Sequence, residues 1–446
     1  MTIRNREDAL VIGAGAAGLA AARELSCAGR RVALLEARNR IGGRILTLHD
    51  PRSPVPIELG PEFIHGRAEA TVSILQAGGL RADETPDGHY LSRKGRLSAG
   101  TGFWEMIGES TEAMKQFLRR HPHRDFSFED YLRRAGIQGE RRRTLQEFIE
   151  GFQAAHIDKI SARSLAAGSD ETSDSQYRLT SGYDTLMEVL VRSLDPDRVT
   201  LRLNTIALKL HWKRGDVVLE ARSAAGRLLD EFRARSAVIA IPHALLRSRA
   251  LGFEPELWEK GRAASRLEVG QAFKMVLRFR DSFWEQDDFL ERRLRRRPDH
   301  PRSLAFLHTR DVEVPVWWTS LPAKAPLMTG WAGGPKAERL LDLEERERLD
   351  RSMASLARGL GVSRVFLDDQ LDSWWTHDWR ADAWSGGAYS YLSVGGIPAQ
   401  RTLARSVEGT LFFAGEYTEL DQIGTVAGAL TSGRRAGRDL AEVLNR

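Results

Sequence analysis

Cysteine is nearly absent: Cys27 stands alone, so neither an intramolecular disulfide nor a thiolate zinc site can form, and nothing demands an oxidising compartment. Long apolar runs are missing as well. No stretch of eighteen or more apolar residues marks a membrane span. The opening MTIRNRE meets the apolar Ala9–Ile12 with no secretory leader between them, and the expected location is the cytoplasm. An excess of one charge is lacking too, since 66 Lys+Arg stand against 61 Asp+Glu over 446 residues. That balance gives little electrostatic reason to expect nucleic acid as a partner. The basic stretches Arg141–Arg143 and Arg292–Arg302 have no interleaved aromatics and read as solvated surface. With 42% hydrophobic and 28% charged residues, the composition is that of a globular chain long enough for several domains or one two-lobed fold. There is no Ser/His/Asp elbow, no HExxH and no Cys/His cluster, so a metal site is not expected.

The chemistry that is present starts at the N-terminal strand Ala9–Ile12. It runs into Gly13-Ala14-Gly15-Ala16-Ala17-Gly18 and an Ala/Leu-rich helix to about Ala28. Gly13 permits the tight turn, Gly15 lets backbone approach a pyrophosphate, and Gly18 lets the helix pack on the strand. The helix N-terminus, with Ala16 and Ala17, faces the phosphates. A second strand, Arg31–Leu35, ends in Glu36, placed to accept from the ribose hydroxyls of an adenosine. This unit predicts a dinucleotide site and leaves NAD and FAD both open.

The next residues, Ala37-Arg38-Asn39-Arg40-Ile41-Gly42-Gly43-Arg44, resemble the second fingerprint of glutathione-reductase-like FAD proteins, the flavin amine oxidases above all. Arg44 is a charge-assisted donor for a pyrophosphate or the flavin edge. Near the other end, the strand Leu411–Ala414 leads into Gly415-Glu416, and Gly424-Thr425-Val426 opens a helix through Leu444. This resembles the C-terminal FAD motif of the same family, which implies that Glu416 contacts the ribityl and phosphate region and that Gly424, Thr425 and Val426 lie near the flavin. Residues Trp379 to Tyr391 (WRADAWSGGAYSY) are dense in aromatics, as ordinary cores are. The stretch is also similar to one in the flavin-dependent histone lysine demethylases, which places Trp379 and Trp384 by the cofactor and Tyr389 beside the flavin face. Ala388 stands where animal monoamine oxidases carry a flavin-linking cysteine, so the FAD is expected to be non-covalent. Thr425 stands where they carry a second pocket tyrosine, so another face of the pocket, built on tryptophan, is expected to compensate.

In Gln271–Phe279, Phe273, Met275, Leu277 and Phe279 alternate with Lys274, Val276 and Arg278. By that pattern alone Lys274 faces solvent. The resemblance implies instead that Lys274, one of only nine lysines, is the lysine that holds a water against flavin N5. Glu58 to Gly66 (ELGPEFIHG) resembles the stretch of polyamine oxidases that passes the flavin. Gly60, Pro61 and Glu62 then lie by the cofactor, Phe63 takes a tryptophan's place and His65 is a pocket residue; a lone histidine is as readily structural. Amino-acid oxidases of this fold carry a carboxylate-binding arginine where Phe63 stands, which implies an amine without an α-carboxylate.

Residues 102–163 show helical apolar spacing and no motif, as for a helical substrate lobe. Val199–Asn204, Ala207–Trp212, Val217–Ala221 and Ala237–Pro242 resemble the family's central strands, with Ala207 at the adenine. Asp170–Asp174 reads as an acidic surface loop, and Leu179–Tyr183 as a Gly-rich turn near the site. Trp317, Trp318 and Trp331 fit either the core or the pocket.

The expected fold is α/β, two-lobed. A Rossmann-like FAD domain (1–95, 180–265 and 366–446) interleaves with a substrate domain of mixed sheet plus helices (96–179 and 266–365). The expected function is a flavin-dependent amine oxidase, passing hydride to flavin N5 and electrons to dioxygen to give hydrogen peroxide, with a polyamine or other non-carboxylate amine as substrate and a monomer or homodimer as the assembly. An L-amino acid oxidase and a weakly active flavin-carrying binding protein are the alternatives.

Overall fold

The computed structural model describes residues 6–66, 68–100, 102–168, 175–294, 303–419 and 421–446; Asp170–Asp174 and most of the Arg292–Arg302 run lie outside them. Two large sheets organise the chain. In the first, Val199–Arg202, Val32–Leu35, Glu7–Ile12, Phe232–Ile239 and Leu411–Phe413 lie side by side and parallel. Phe232–Ile239 divides its free edge: Ala234 pairs with Val217 of an antiparallel meander, while Ala237–Ile239 pair with Leu411–Phe413. Continuous apolar runs such as Ala9–Ile12 and Val32–Leu35 are wholly buried, because helices cover the parallel part on both faces.

The Ala-rich helix Ala16–Cys27 owes its composition to its neighbour, Val426–Leu444. A Cβ on Gly433 would lie 2.1 Å from the Ala17 carbonyl oxygen, and one on Gly437 would lie 2.8 Å from that of Ala21. Only small residues permit that crossing, and it brings the first and last helices of the chain together.

The second sheet runs Leu371–Thr376, Ala272–Phe279, Leu327–Gly333, Val316–Thr319, Phe306–Thr309, His89–Arg93 and Arg96–Ala99. His89–Arg93 and Leu371–Thr376 thus belong to this sheet, although the sequence reading had grouped both with the cofactor domain. Their partners, Phe306–Thr309 and Ala272–Phe279, draw them across.

The alternation in Ala272–Phe279 does not mean a half-exposed strand, since all eight residues are buried. Phe273, Met275, Leu277 and Phe279 pack under the helices Pro335–Leu341 and Glu345–Leu360. The opposite face is closed as well: Val276 meets Ile57 and Leu59, Arg278 pairs with Asp50 and Asp372, and Lys274 pairs with Glu62. Buried charge of this kind is tolerated only when each group has a counter-charge.

Helices Phe103–Arg119, Phe128–Arg134, Gly139–Gln153 and Ala162–Gly168 form the helical lobe around Met114, Leu118, Tyr131 and Leu132. Ser127 caps Phe128–Arg134 by accepting from the Asp130 N–H. A Cβ on Gly333 would sit 2.4 Å from the Gly151 carbonyl oxygen, so that glycine lets the lobe close on the second sheet. No described helix is long and apolar enough to cross a membrane.

Candidate active site

One cavity of about 1050 Å³ opens between the first sheet, the second sheet and the helical lobe. At one end lies the glycine turn. Gly13 has φ +103°, and a Cβ on Gly18 would lie 1.7 Å from the Gly13 carbonyl oxygen, so helix and turn fit only as glycines. Gly15 differs, because a Cβ there would meet nothing nearer than Gly42 and Gly43, at 3.9 Å. The helix that follows has no side-chain cap. Its orphan N–H groups therefore face a cradle formed by Gly15, Ala16, Ala17, Gly42 and Gly43, the donor set and space a pyrophosphate requires.

Glu36 is buried and accepts from the Ala14 and Arg38 N–H groups at 2.8 and 2.9 Å. Arg38 forms a bidentate pair with Asp382, at 2.9 and 2.7 Å, joining positions 344 apart in the chain. Asp382 is the acid of the WRAD run. Burial alone would raise its carboxyl, but bonds from His377 and Arg38 hold it well below the usual range. Arg40 clamps the Gly42-Gly43 turn through the Gly43 and Ile45 carbonyls.

The second turn is tied more tightly than the sequence suggests. Glu416 accepts from Arg44 at 3.1 Å, from the Ser390 hydroxyl at 3.0 Å and from the Gly424 N–H at 3.1 Å. Arg44 also donates to the Ala388 carbonyl at 2.7 Å. The two groups therefore lock three loops together while still lining the cavity. Thr425 departs further from expectation. Its hydroxyl accepts from the Gly428 N–H and donates to the Gln422 carbonyl, so it caps the last helix and is not a free pocket group. Trp379 is anchored to the Leu59 carbonyl at 2.9 Å.

Of the residues assigned to the cofactor or the reaction from the sequence, all but Gly18 line this one cavity, including Ala37, Gly60, Pro61, Ala207, Trp384, Gly415 and Val426. Beyond the glycine turns and the Arg44–Glu416 pair, aromatic rings line the cavity. Tyr389 lies against Gly424 and donates to the Phe152 carbonyl at 2.8 Å. Phe152 meets His65 edge-on, and Phe63 meets Trp318 and Phe306, with ring centres 5.4 to 5.7 Å apart. Lys274 closes this box. Its Nζ lies 2.7 Å from Glu62, 3.2 Å from the Gly60 carbonyl and 5.7 Å from the centre of Trp318.

Residues 16–441 match the flavin containing amine oxidoreductases. The chain belongs to that family. It is 26% identical over 473 residues to polyamine oxidase 5 of Oryza sativa subsp. japonica, covering 96% of this chain and 87% of that protein. It is 25% identical to human lysine-specific histone demethylase 2, covering 98% of this chain but 54% of the demethylase, so it spans about half that relative's length. Among solved structures, putrescine oxidase bound to putrescine superposes with a TM-score of 0.80 at 19% identity over 99% of this chain and all of the other. Cyclohexylamine oxidase from Brevibacterium oxydans superposes with a TM-score of 0.78 at 20% identity, with the same coverage. Both likenesses are of fold, and the cofactor of this oxidoreductase is FAD.

In the amine oxidoreductase, the acid beside Lys274 is itself shared. Glu62 also pairs with Arg178 at 3.2 Å, and Arg178 donates to the Thr319 carbonyl and lies 4.5 Å over the Phe63 ring. Burial would raise the Glu62 carboxyl, but Lys274 and Arg178 together hold it below its ordinary value. Sequence reading placed Glu62 at the cofactor; the structure gives it the two cations as partners. Arg178 carried no motif and was missed, and Glu58, which opens the ELGPEFIHG run, was given no role. Trp317 is core, whereas Trp318 and Trp331 line the cavity.

His65 faces the cavity, yet the protein around it depresses its pKa by burial to about 4, so it is neutral near pH 7. Glu58 accepts from the Tyr183 N–H and the Thr47 hydroxyl, but burial dominates and pushes its carboxyl up from 4.5 to about 7. The folded state then binds a proton that the unfolded chain has released, so stability is full below pH 4.5 and falls as pH rises through about 7. Glu58→Gln should flatten that part of the Tm–pH profile. Parallel profiles for wild type and variant would contradict the assignment.

Proposed function

We propose that the oxidoreductase is an amine oxidase acting on amines that lack an α-carboxylate, with polyamines favoured and dioxygen as acceptor. The observation that carries this is the aromatic box ending at Lys274, in which no arginine among the described residues is left to clamp a carboxylate. Arg178 is spent on Glu62, the Thr319 carbonyl and the Phe63 ring. Arg93 and Arg310, which also line the cavity, are both paired with Glu140. Polyamine and putrescine oxidases among the similar proteins support the same substrate class.

FAD held by Gly15, Glu36, Arg44 and Glu416 would supply the acceptor for hydride from the amine α-carbon, with dioxygen as the terminal oxidant giving peroxide and water hydrolysing the imine. The protein must first deliver a neutral amine, since an alkylamine with a pKa near about 10.4 arrives protonated. Aromatic faces attract the incoming cation by about 0.5–2 kcal/mol, and desolvation in the box then favours loss of its proton. Neutral His65 adds no positive charge against it. Lys274 lies beside the Gly60 carbonyl, where it can hold a water at the cofactor end. Ala388 offers no nucleophile for a covalent link to FAD at that position.

Peroxide release by the purified protein should occur with di- and polyamines or arylalkyl monoamines and not with L-amino acids. Peroxide with amino acids alone would replace this reading by an L-amino acid oxidase. Release with neither would favour a flavin-carrying binding protein.

A further inference from the structure

The cavity holds a pair of histidines that the chemistry above does not use. His89, on the strand His89–Arg93, and His308, on Phe306–Thr309, stand on neighbouring parallel strands of the second sheet. Their rings stack 5.3 Å apart at 12°, and His89 Nδ1 lies 3.0 Å from His308 Nε2. His89 also stacks on Phe306 at 4.4 Å and meets Trp104 edge-on at 5.7 Å, while Phe103 lies 5.7 Å from His308. All of these rings line the cavity. Phe306 in turn touches Phe63, which packs on Trp318 in the Lys274 box. The pair therefore lies one bank of rings away from the reacting end.

Burial, helped for His308 by its neighbour, lowers both imidazoles, His308 to about 3. Both are neutral near pH 7. A neutral pair sharing one hydrogen bond has one outer nitrogen that donates and one that accepts. The exposed Asp87 carboxylate, with Oδ1 3.9 Å from His89 Nε2, is too far for a hydrogen bond, but its charge biases the proton toward that nitrogen; in that tautomer His89 Nδ1 accepts from His308 Nε2–H. His308 Nδ1 is left with a lone pair, and among the described residues it has no partner.

We propose that His308, oriented by His89, is a subsite for the second nitrogen of a diamine or polyamine, accepting one of its N–H groups while Trp104, Phe103 and Phe306 surround the cation. This rests on the amine oxidase reading and deepens it. A carboxylate there would hold the distal ammonium as a fixed ion pair; an imidazole within aromatic rings holds it more weakly and lets product leave.

The test compares kcat/KM for an α,ω-diamine with that for the n-alkylamine of matched length, in wild type, His308→Leu and His308→Gln. Loss of a hydrogen bond to a charged group should lower the diamine-to-monoamine ratio by about tenfold or more in His308→Leu. The change should fall in KM for the diamine, and His308→Gln, which restores an acceptor, should recover part of it. His89→Phe, which removes the orienting partner, should lower the same ratio by less. An unchanged ratio in His308→Leu with its flavin spectrum intact would overturn the subsite while leaving the amine oxidase standing. Failure of the wild type to oxidise either amine would sink that reading and this inference together.

Discussion

Lys274→Met is expected to cut turnover by roughly 10²–10³-fold while FAD stays bound, the range typical of removing a group that positions or moves a proton. The methionine fits the volume of the buried stem on a strand closed on both faces. It removes the only cation within reach of the Gly60 carbonyl and of the Trp318 ring among the described contacts. It also leaves Glu62 with Arg178 alone, so the Glu62 carboxyl should rise from its lowered value. Flavin reduction and reoxidation, followed separately by stopped-flow absorbance, show which half-reaction carries the loss. Unchanged rates in both halves would remove Lys274 from the site.

Gly15→Val should give a folded protein without flavin. The backbone at Gly15 is extended, at φ −77° and ψ −175°, a conformation any residue adopts. A Cβ there meets no protein atom outside its chain neighbours closer than 3.9 Å. What it fills is the cradle in front of the Ala16 and Ala17 N–H groups, so FAD affinity should fall by two orders of magnitude or more while circular dichroism stays native. Gly18→Ala provides the contrast. Its Cβ would lie 1.7 Å from a backbone oxygen, and the expected result is misfolded protein. A yellow Gly15→Val variant would place the pyrophosphate elsewhere.

The cofactor half of the site was legible because its residues are constrained by backbone geometry over short spans. Gly13, Gly15 and Gly18 sit where a turn must approach a helix, and that leaves a local pattern. Lys274 shows the limit. Its alternating strand reads as half-exposed, and what buries it is a loop at Glu58–Glu62 some two hundred positions earlier, packed on the other face. The pairings of Arg38 with Asp382 and of Arg178 with Glu62 are invisible for the same reason: Arg38 and Glu62 belong to recognisable motifs, but nothing local names the partner that the fold brings to each. Thr425 misled in the other direction. Its place in the family motif implied a pocket group, and it does line the cavity, but its hydroxyl is taken up by the helix start, where it satisfies an orphan N–H. The two histidines at 89 and 308 likewise meet only through the parallel pairing of their strands.

The most direct measurement is the visible spectrum of the purified yellow protein, mixed anaerobically with putrescine or a longer polyamine and then exposed to air. The expected result is loss of the flavin absorption with the amine, its return on exposure to oxygen, and peroxide in proportion to the amine consumed. A flavin that stays oxidised with every non-carboxylate amine, or bleaches only with L-amino acids, would contradict it.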